Sequence, residues 1–174
     1  MDHSWTVQDS LEHYQLPHWG QPFFSINDKG NITVRPGAKE GPSIDLKSLV
    51  DDLQKRGIEA PLLIRFNDIL RSRIERLHEV FSNSINEYGY QGNYRGVMPI
   101  KVNQQRHVIE EMVKYGKAVN LGLEAGSKPE LLIGIAQLES PPDSLLICNG
   151  YKDEEYIETA LDAQRLGIRT ILVL

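Results

Sequence analysis

The chain has 174 residues, a net charge of −5 and 40% hydrophobic residues, which is enough for one core of ordinary size. Its mild acidity argues against a nucleic-acid partner, because proteins that bind nucleic acids usually carry a basic patch. The single cysteine, Cys148, excludes an intrachain disulfide and suits a reducing compartment. No secretory signal is evident, and no apolar run approaches the roughly 18 residues of a membrane helix, so we expect a cytoplasmic protein without a membrane partner.

The first 60 residues predict a small region that precedes the main domain. The turn-forming residues from Asn27 to Asn31 separate two short apolar runs, which is typical of a β-hairpin. After a linker rich in Gly and Pro, apolar residues recur at helical spacing. The predicted elements are a short helix capped by Thr6 or Asp9, a hairpin over 22–36 and a helix over 44–56.

From residue 61 onward the pattern predicts alternating strands and helices, which we assign to a second domain over 61–174. A short apolar strand is predicted over 61–66, and Asp68 is expected to cap a long helix that stops at Gly89. Further strands are predicted near Val97, Ala118, Ser144 and Thr170, the first three of them followed by helices. Strand–helix units of about 25 residues indicate a parallel β/α fold, either a barrel or an open doubly wound sheet.

A lysine interrupts the apolar run of the strand predicted over 97–102. Lys101 would lie at the carboxyl end of this strand, where the functional groups of β/α barrels cluster. An activated lysine amine forms a Schiff base with a carbonyl compound. The alternative is a lysine whose stem packs on the strand edge while its ammonium group reaches water.

The stretch from Tyr94 to Gln105, YRGVMPIKVNQQ, resembles the pyridoxal-phosphate lysine segment of the biosynthetic arginine decarboxylases. Other segments resemble the same family in the same order, namely the region around Trp19 and residues 23–27, 61–66, 122–131 and 147–152. The resemblance implies an α/β fold that is the N-terminal part of a (β/α)8 barrel, with about three and a half βα units. One departure is Met98, where the family usually has tyrosine. We expect Met98 to face the helix layer, because it shares one strand face with Ile100 while Lys101 points to the other.

The resemblance also implies roles for three residues near the ends of predicted strands. Lys101 would be the Schiff-base lysine for pyridoxal 5'-phosphate, which acts as the electron sink of a decarboxylation. Glu124 would lie near the cofactor and hold Lys101 by an ion pair; the alternative is a solvated acid in a loop. Ser127 would approach the cofactor, or else only cap a helix in a capping-box pattern with Glu130.

With this resemblance, the sequence predicts an enzyme that decarboxylates L-arginine to agmatine and carbon dioxide, a step toward putrescine and spermidine. The resemblance also implies magnesium, for which the sequence shows no ligand set, and a homo-oligomer, either a dimer or a tetramer. The alternatives are a related barrel decarboxylase for another basic amino acid or for diaminopimelate, or a non-catalytic truncated partner subunit. A complete barrel needs about 250 residues, so we expect the chain to be part of a longer enzyme and to be inactive alone.

Overall fold

The structure is a computed structural model that describes residues 4–38, 41–138 and 144–174. The chain divides into two compact units, Met1–Ser72 and Arg73–Leu174. Within the described ranges, no helix is both long enough and apolar enough to cross a membrane.

The first unit begins with the helix and hairpin that the sequence predicts. The Thr6 side chain accepts a hydrogen bond from the Asp9 backbone N–H, and the Asp9 carboxylate accepts one from the Thr6 backbone N–H, which forms a capping box at the helix start. The two hairpin strands pair in antiparallel register, with Ile26 opposite Ile32. The elements of this region are α1 (Val7–His13), α2 (Leu16–Trp19), β1 (Phe24–Ile26), β2 (Ile32–Val34), β3 (Ile44–Asp45) and α3 (Leu46–Lys55).

The helix predicted from residue 44 begins two residues later. Ile44 and Asp45 form a third antiparallel strand against β2, with Ile44 opposite the fully buried Val34. Asp45 is the N-cap of α3 and accepts a hydrogen bond from the Ser48 backbone N–H at 3.1 Å. The same carboxylate accepts a hydrogen bond from the Asn31 side chain at 3.0 Å, so it ties the hairpin turn to the helix start.

The Asp45 carboxylate makes this unit sensitive to acid. The hydrogen bonds from Asn31 and from the Ser48 N–H lower the pKa of Asp45 to about 2. A lowered pKa in the folded state contributes stability above the ordinary carboxyl pKa of about 4, and that contribution is lost as the pH falls toward 2. We therefore expect Asp45→Asn, which keeps a good N-cap residue but lacks the charge, to unfold at a lower temperature than the parent at pH 7. Thermal unfolding from pH 7 to pH 2 should show this difference becoming smaller as the pH falls; a difference that stays constant would contradict the assignment.

The prediction of a strand over 61–66 is wrong. These residues lie in no strand of the structure, and Leu63 has 73% of its surface exposed. An apolar run becomes a strand only where a partner strand accepts its backbone hydrogen bonds, and no pairing in the described part of the chain includes these residues. The helix that follows begins at Asn67, so Asp68 lies in its first turn and does not cap it.

The second unit contains a four-stranded parallel sheet in the order in which its strands occur in the chain. Each of its first three strands is followed by a helix, as the predicted β/α repeat requires. Its elements, with the helix that leads into it, are α4 (Asn67–Glu87), β4 (Val97–Pro99), α5 (Arg106–Gly116), β5 (Gly122–Ala125), α6 (Lys128–Gln137), β6 (Leu145–Cys148), α7 (Glu154–Arg165) and β7 (Arg169–Leu172).

The second strand of this sheet begins later than predicted. Residues 117–119, expected to start a strand, form a 3-10 turn that Asn120 ends in the left-handed conformation, with φ of 53°. The strand starts at Gly122, where the backbone of β6 comes close. A Cβ atom added there would lie 2.9 Å from the Leu145 backbone nitrogen, so the close approach of the two strands requires glycine.

The two faces of the sheet have different neighbours. Met98, Leu123 and Leu146 are in register on one face, and the latter two are fully buried in the core between the sheet and helices α5, α6 and α7. Met98 packs against this core, which confirms the prediction that it faces the helix layer. Glu124 is in register with Pro99 and Ile147 on the opposite face.

Candidate functional site

Lys101 lies at the carboxyl edge of the parallel sheet, directly after β4. The strand ends at Pro99, and residues 100–102 form a 3-10 turn closed by a hydrogen bond from the Asn103 N–H to the Ile100 carbonyl at 3.1 Å. The predicted strand over 97–102 is therefore three residues too long, because these last residues satisfy their backbone within a turn. Ile100 is buried and anchors the turn, whereas the Lys101 side chain remains 64% exposed. The amine is thus accessible to a small molecule at this edge.

Glu124 lies on the neighbouring strand and points toward the same edge. Its side chain is only 6% exposed, and its Oε1 atom lies 3.9 Å from the Lys101 Nζ. Glu124 is therefore not the solvated loop acid of the alternative interpretation. The structure brings together the two residues that the resemblance paired.

The two oxygens of the Glu124 carboxylate differ in their partners. Oε1 accepts a hydrogen bond from the Asn149 side chain at 3.1 Å. Oε2 is buried and has no hydrogen-bond partner among the described residues. A buried carboxylate oxygen without a donor is costly, so this atom indicates that the site is completed by a donor from elsewhere.

The turn after β5 differs from the predicted capping box. Ser127 is the N-cap residue of α6, but its side chain makes no capping hydrogen bond. The Glu130 carboxylate reaches past the Ser127 backbone and accepts a hydrogen bond from the Gly126 N–H at 2.7 Å. The Glu130 carboxylate is therefore engaged one residue upstream of the N-cap, and Ser127 is half-buried in the turn that follows the strand of Glu124.

Asn149 makes a contact with Glu124 that the sequence does not predict. It directly follows β6, its backbone N–H donates to the Ala125 carbonyl at 2.9 Å, and its side chain holds Glu124. The same carbonyl accepts a hydrogen bond from the buried Tyr156 hydroxyl at 2.9 Å, and burial raises the pKa of that phenol. The signal available in the sequence was the position of Asn149 at the end of a predicted strand, in a segment that carried the family resemblance.

Cys148, the last residue of β6, and Lys152, in the loop that follows, both make contacts that explain them without a role in the site. Cys148 is fully buried, and burial raises the pKa of its thiol, as expected of a small core side chain. Lys152 donates to the Gly150 carbonyl at 2.7 Å, and its ammonium group lies 5.3 Å from the centre of the Tyr156 ring. Neither arrangement supplies a nucleophile to the sheet edge.

The residues at this edge fit pyridoxal phosphate in their chemistry. The cofactor brings an aldehyde, and Lys101 offers an exposed primary amine. The unpartnered Glu124 Oε2 offers an acceptor for a cationic amine or another donor. No group of three or more His, Cys, Asp or Glu side chains within the described ranges is placed to hold a metal ion.

Comparison with known proteins agrees with this chemistry. Residues 71–171 match the family model described as pyridoxal-dependent decarboxylase, pyridoxal binding domain. Among curated proteins, the biosynthetic arginine decarboxylase of Gloeobacter violaceus is 58% identical over 170 residues, which cover 98% of this chain and 26% of the relative. That of Thermosynechococcus vestitus is 56% identical over 171 residues, which cover 98% and 27%.

A solved structure is similar over most of the chain. The crystal structure of the biosynthetic arginine decarboxylase from Campylobacter jejuni matches with a TM-score of 0.85 and 32% identity, covering 92% of this chain and 26% of that one. The likeness and the parallel β/α units confirm the predicted fold class, part of a (β/α)8 barrel with a small antiparallel sheet before it. The chain spans about a quarter of the length of these relatives. Because the family model covers more than half of its residues, the chain belongs to the pyridoxal-dependent decarboxylase family.

Proposed function

We propose that the intact protein decarboxylates L-arginine to agmatine and carbon dioxide, with pyridoxal phosphate bound at Lys101. The observation that carries this proposal is the exposed Lys101 amine 3.9 Å from a buried Glu124 carboxylate, at the carboxyl edge of a parallel sheet. The choice of arginine is supported by the curated relatives, which are called biosynthetic arginine decarboxylases. Agmatine formation is the expected first step of a route to putrescine and spermidine.

The residues of this chain would divide the work of binding and orientation. When bound, pyridoxal phosphate supplies an electron sink for the carbanion that remains after carbon dioxide leaves. Lys101 holds the cofactor by its amine, and Glu124 orients that amine by charge. Asn149 fixes the Glu124 Oε1 atom by its hydrogen bond, so that the carboxylate keeps one orientation. Ser127 presents its hydroxyl from the adjoining turn as a further contact to the cofactor.

The proposal also includes a homo-oligomer, either a dimer or a tetramer, and magnesium. Both parts rest on the resemblance to arginine decarboxylases alone, and we base neither of them on a contact between described residues of this chain. Among the residues described, no cluster of carboxylates or imidazoles is placed to hold the magnesium ion. We therefore assign neither a metal ligand nor a substrate-selecting residue to this chain.

A substrate comparison in the intact protein tests the proposal. The protein loaded with pyridoxal phosphate is given carboxyl-labelled L-arginine, L-lysine, L-ornithine or diaminopimelate, and released carbon dioxide is counted. We expect turnover of arginine, with the other three at least about tenfold slower, because their distal groups lack the shape and the hydrogen-bond donors of a guanidinium group. Faster turnover of diaminopimelate would favour the related decarboxylase, and no turnover with any substrate would favour a non-catalytic partner.

A further inference from the structure

Glu130 is a buried acid with both carboxylate oxygens engaged. Only 7% of its surface is exposed. Its Oε2 atom accepts a hydrogen bond from the Gly126 N–H at 2.7 Å, and its Oε1 atom accepts one from the Gln104 side chain at 3.0 Å. Gln104 is 26 residues away in sequence, so the carboxylate joins two separate loops.

Each of these loops carries one of the two residues at the centre of the site. Gln104 lies three residues after Lys101 and directly follows the 3-10 turn that contains Lys101, which is closed by the hydrogen bond from the Asn103 N–H to the Ile100 carbonyl. Gly126 lies two residues after Glu124. Segments this short leave little freedom between the anchored atom and the functional side chain, so a fixed Glu130 restrains both.

A helix start alone does not explain this arrangement. A glutamate in the first turn of α6 needs only one carboxylate oxygen to accept a hydrogen bond from a backbone N–H at the helix start. The second oxygen of Glu130 accepts a hydrogen bond from Gln104, an exposed residue of the loop that follows Lys101. Burying a carboxylate is costly unless its oxygens accept hydrogen bonds. The hydrogen bond from Gln104 meets this need and also links the loop after Lys101 to the loop after Glu124.

We propose that Glu130 is a positioning residue, which sets the location of Lys101 relative to Glu124 by joining Gln104 to Gly126. The inference rests on the proposed function for the role of Lys101. The bridge needs acceptors toward Gly126 and toward Gln104, and glutamine can replace the carboxylate: its oxygen accepts from Gly126, and its NH2 donates to the Gln104 oxygen after that amide turns over. Alanine supplies neither bond.

Hydrogen exchange in the cofactor-free intact protein tests the bridge itself. We expect Glu130→Ala to speed exchange in peptides covering residues 100–105 and 124–127. Gln104→Ala should speed exchange in 100–105 alone, because the Gly126 N–H keeps its acceptor. Glu130→Gln should exchange like the parent. Leu138→Ala is the stability control, because it opens the core at the far end of the same helix without touching the bridge.

Cofactor affinity tests whether the bridge positions Lys101. The same four variants are titrated with pyridoxal phosphate by absorbance, and borohydride reduction with peptide mapping locates the labelled residue. We expect Glu130→Ala and Gln104→Ala to bind about tenfold more weakly or worse. Glu130→Gln should stay within about threefold of the parent, as should Leu138→Ala. Gln164→Ala, a glutamine change on the exposed side of α7, should have no effect.

The outcomes separate this inference from the proposed function. Parental exchange and affinity in Gln104→Ala would overturn the positioning role, and so would a Glu130→Gln variant as weak as Glu130→Ala. If the parent carries its label on a lysine other than Lys101, the proposed function fails. The exchange comparison would then still decide whether Glu130 restrains the two loops.

Discussion

Replacing Lys101 with alanine is expected to abolish attachment of pyridoxal phosphate and nearly all turnover in the intact protein. The amine at this position is exposed, lies at the carboxyl edge of the sheet and faces a buried carboxylate. Without this amine, no covalent bond to the aldehyde of the cofactor can form at this position. The absorbance of the bound cofactor and the rate of carbon dioxide release should therefore fall together.

Two further lysine variants make this result specific. Lys101→Arg should fail as Lys101→Ala does, because a guanidinium group stays protonated and is not a nucleophile. Lys117→Ala removes an exposed lysine before β5, away from the carboxyl edge, and should behave like the parent. Borohydride reduction of the parent should leave the pyridoxyl group on the peptide that contains Lys101. Parental turnover in Lys101→Ala would refute the assignment.

Local chemistry explains why much of the fold could be predicted from the sequence. The capping box of Thr6 and Asp9 and the turn after Asn27 satisfy their backbone groups within a few residues, so neighbouring residues are enough to predict them. The β/α repeat is equally visible, because amphipathic helices alternate with short apolar strands. The prediction of a strand over 61–66 failed because a strand forms only beside a partner strand, and the local sequence does not show whether a partner is present.

The candidate site shows the same limit. Lys101 and Glu124 were found through segments of family resemblance, and the structure brings them within 3.9 Å of each other. The roles of Asn149 and Glu130 depend on contacts between residues 25 and 26 positions apart. Such contacts follow from the register of the parallel strands and the packing of α6, neither of which a single sequence specifies.

The loop after β6 offers a second variant with a large expected effect, Gly150→Ala. Gly150 has φ of +79°, a region that is strained for alanine. A Cβ atom at this position would also collide with the Gly126 carbonyl oxygen and would lie 2.9 Å from its carbon. These atoms are backbone and cannot rotate away, so the loops after β5 and β6 must move apart. The movement would carry Asn149 away from Glu124 and break the hydrogen bond between them.

We expect Gly150→Ala to lower the free energy of unfolding by about 3–5 kcal/mol, the range of large backbone and packing defects. Gly89→Ala is the matched control, because Gly89 has φ of +60° and no atom within 4 Å of an added Cβ. It should cost only the conformational strain of about 1–2 kcal/mol. Chemical unfolding of both variants gives the two values, and titration with pyridoxal phosphate should show weaker binding in Gly150→Ala alone. Equal losses in the two variants would mean that the contact between Gly150 and Gly126 contributes nothing, because strain alone would then account for the effect.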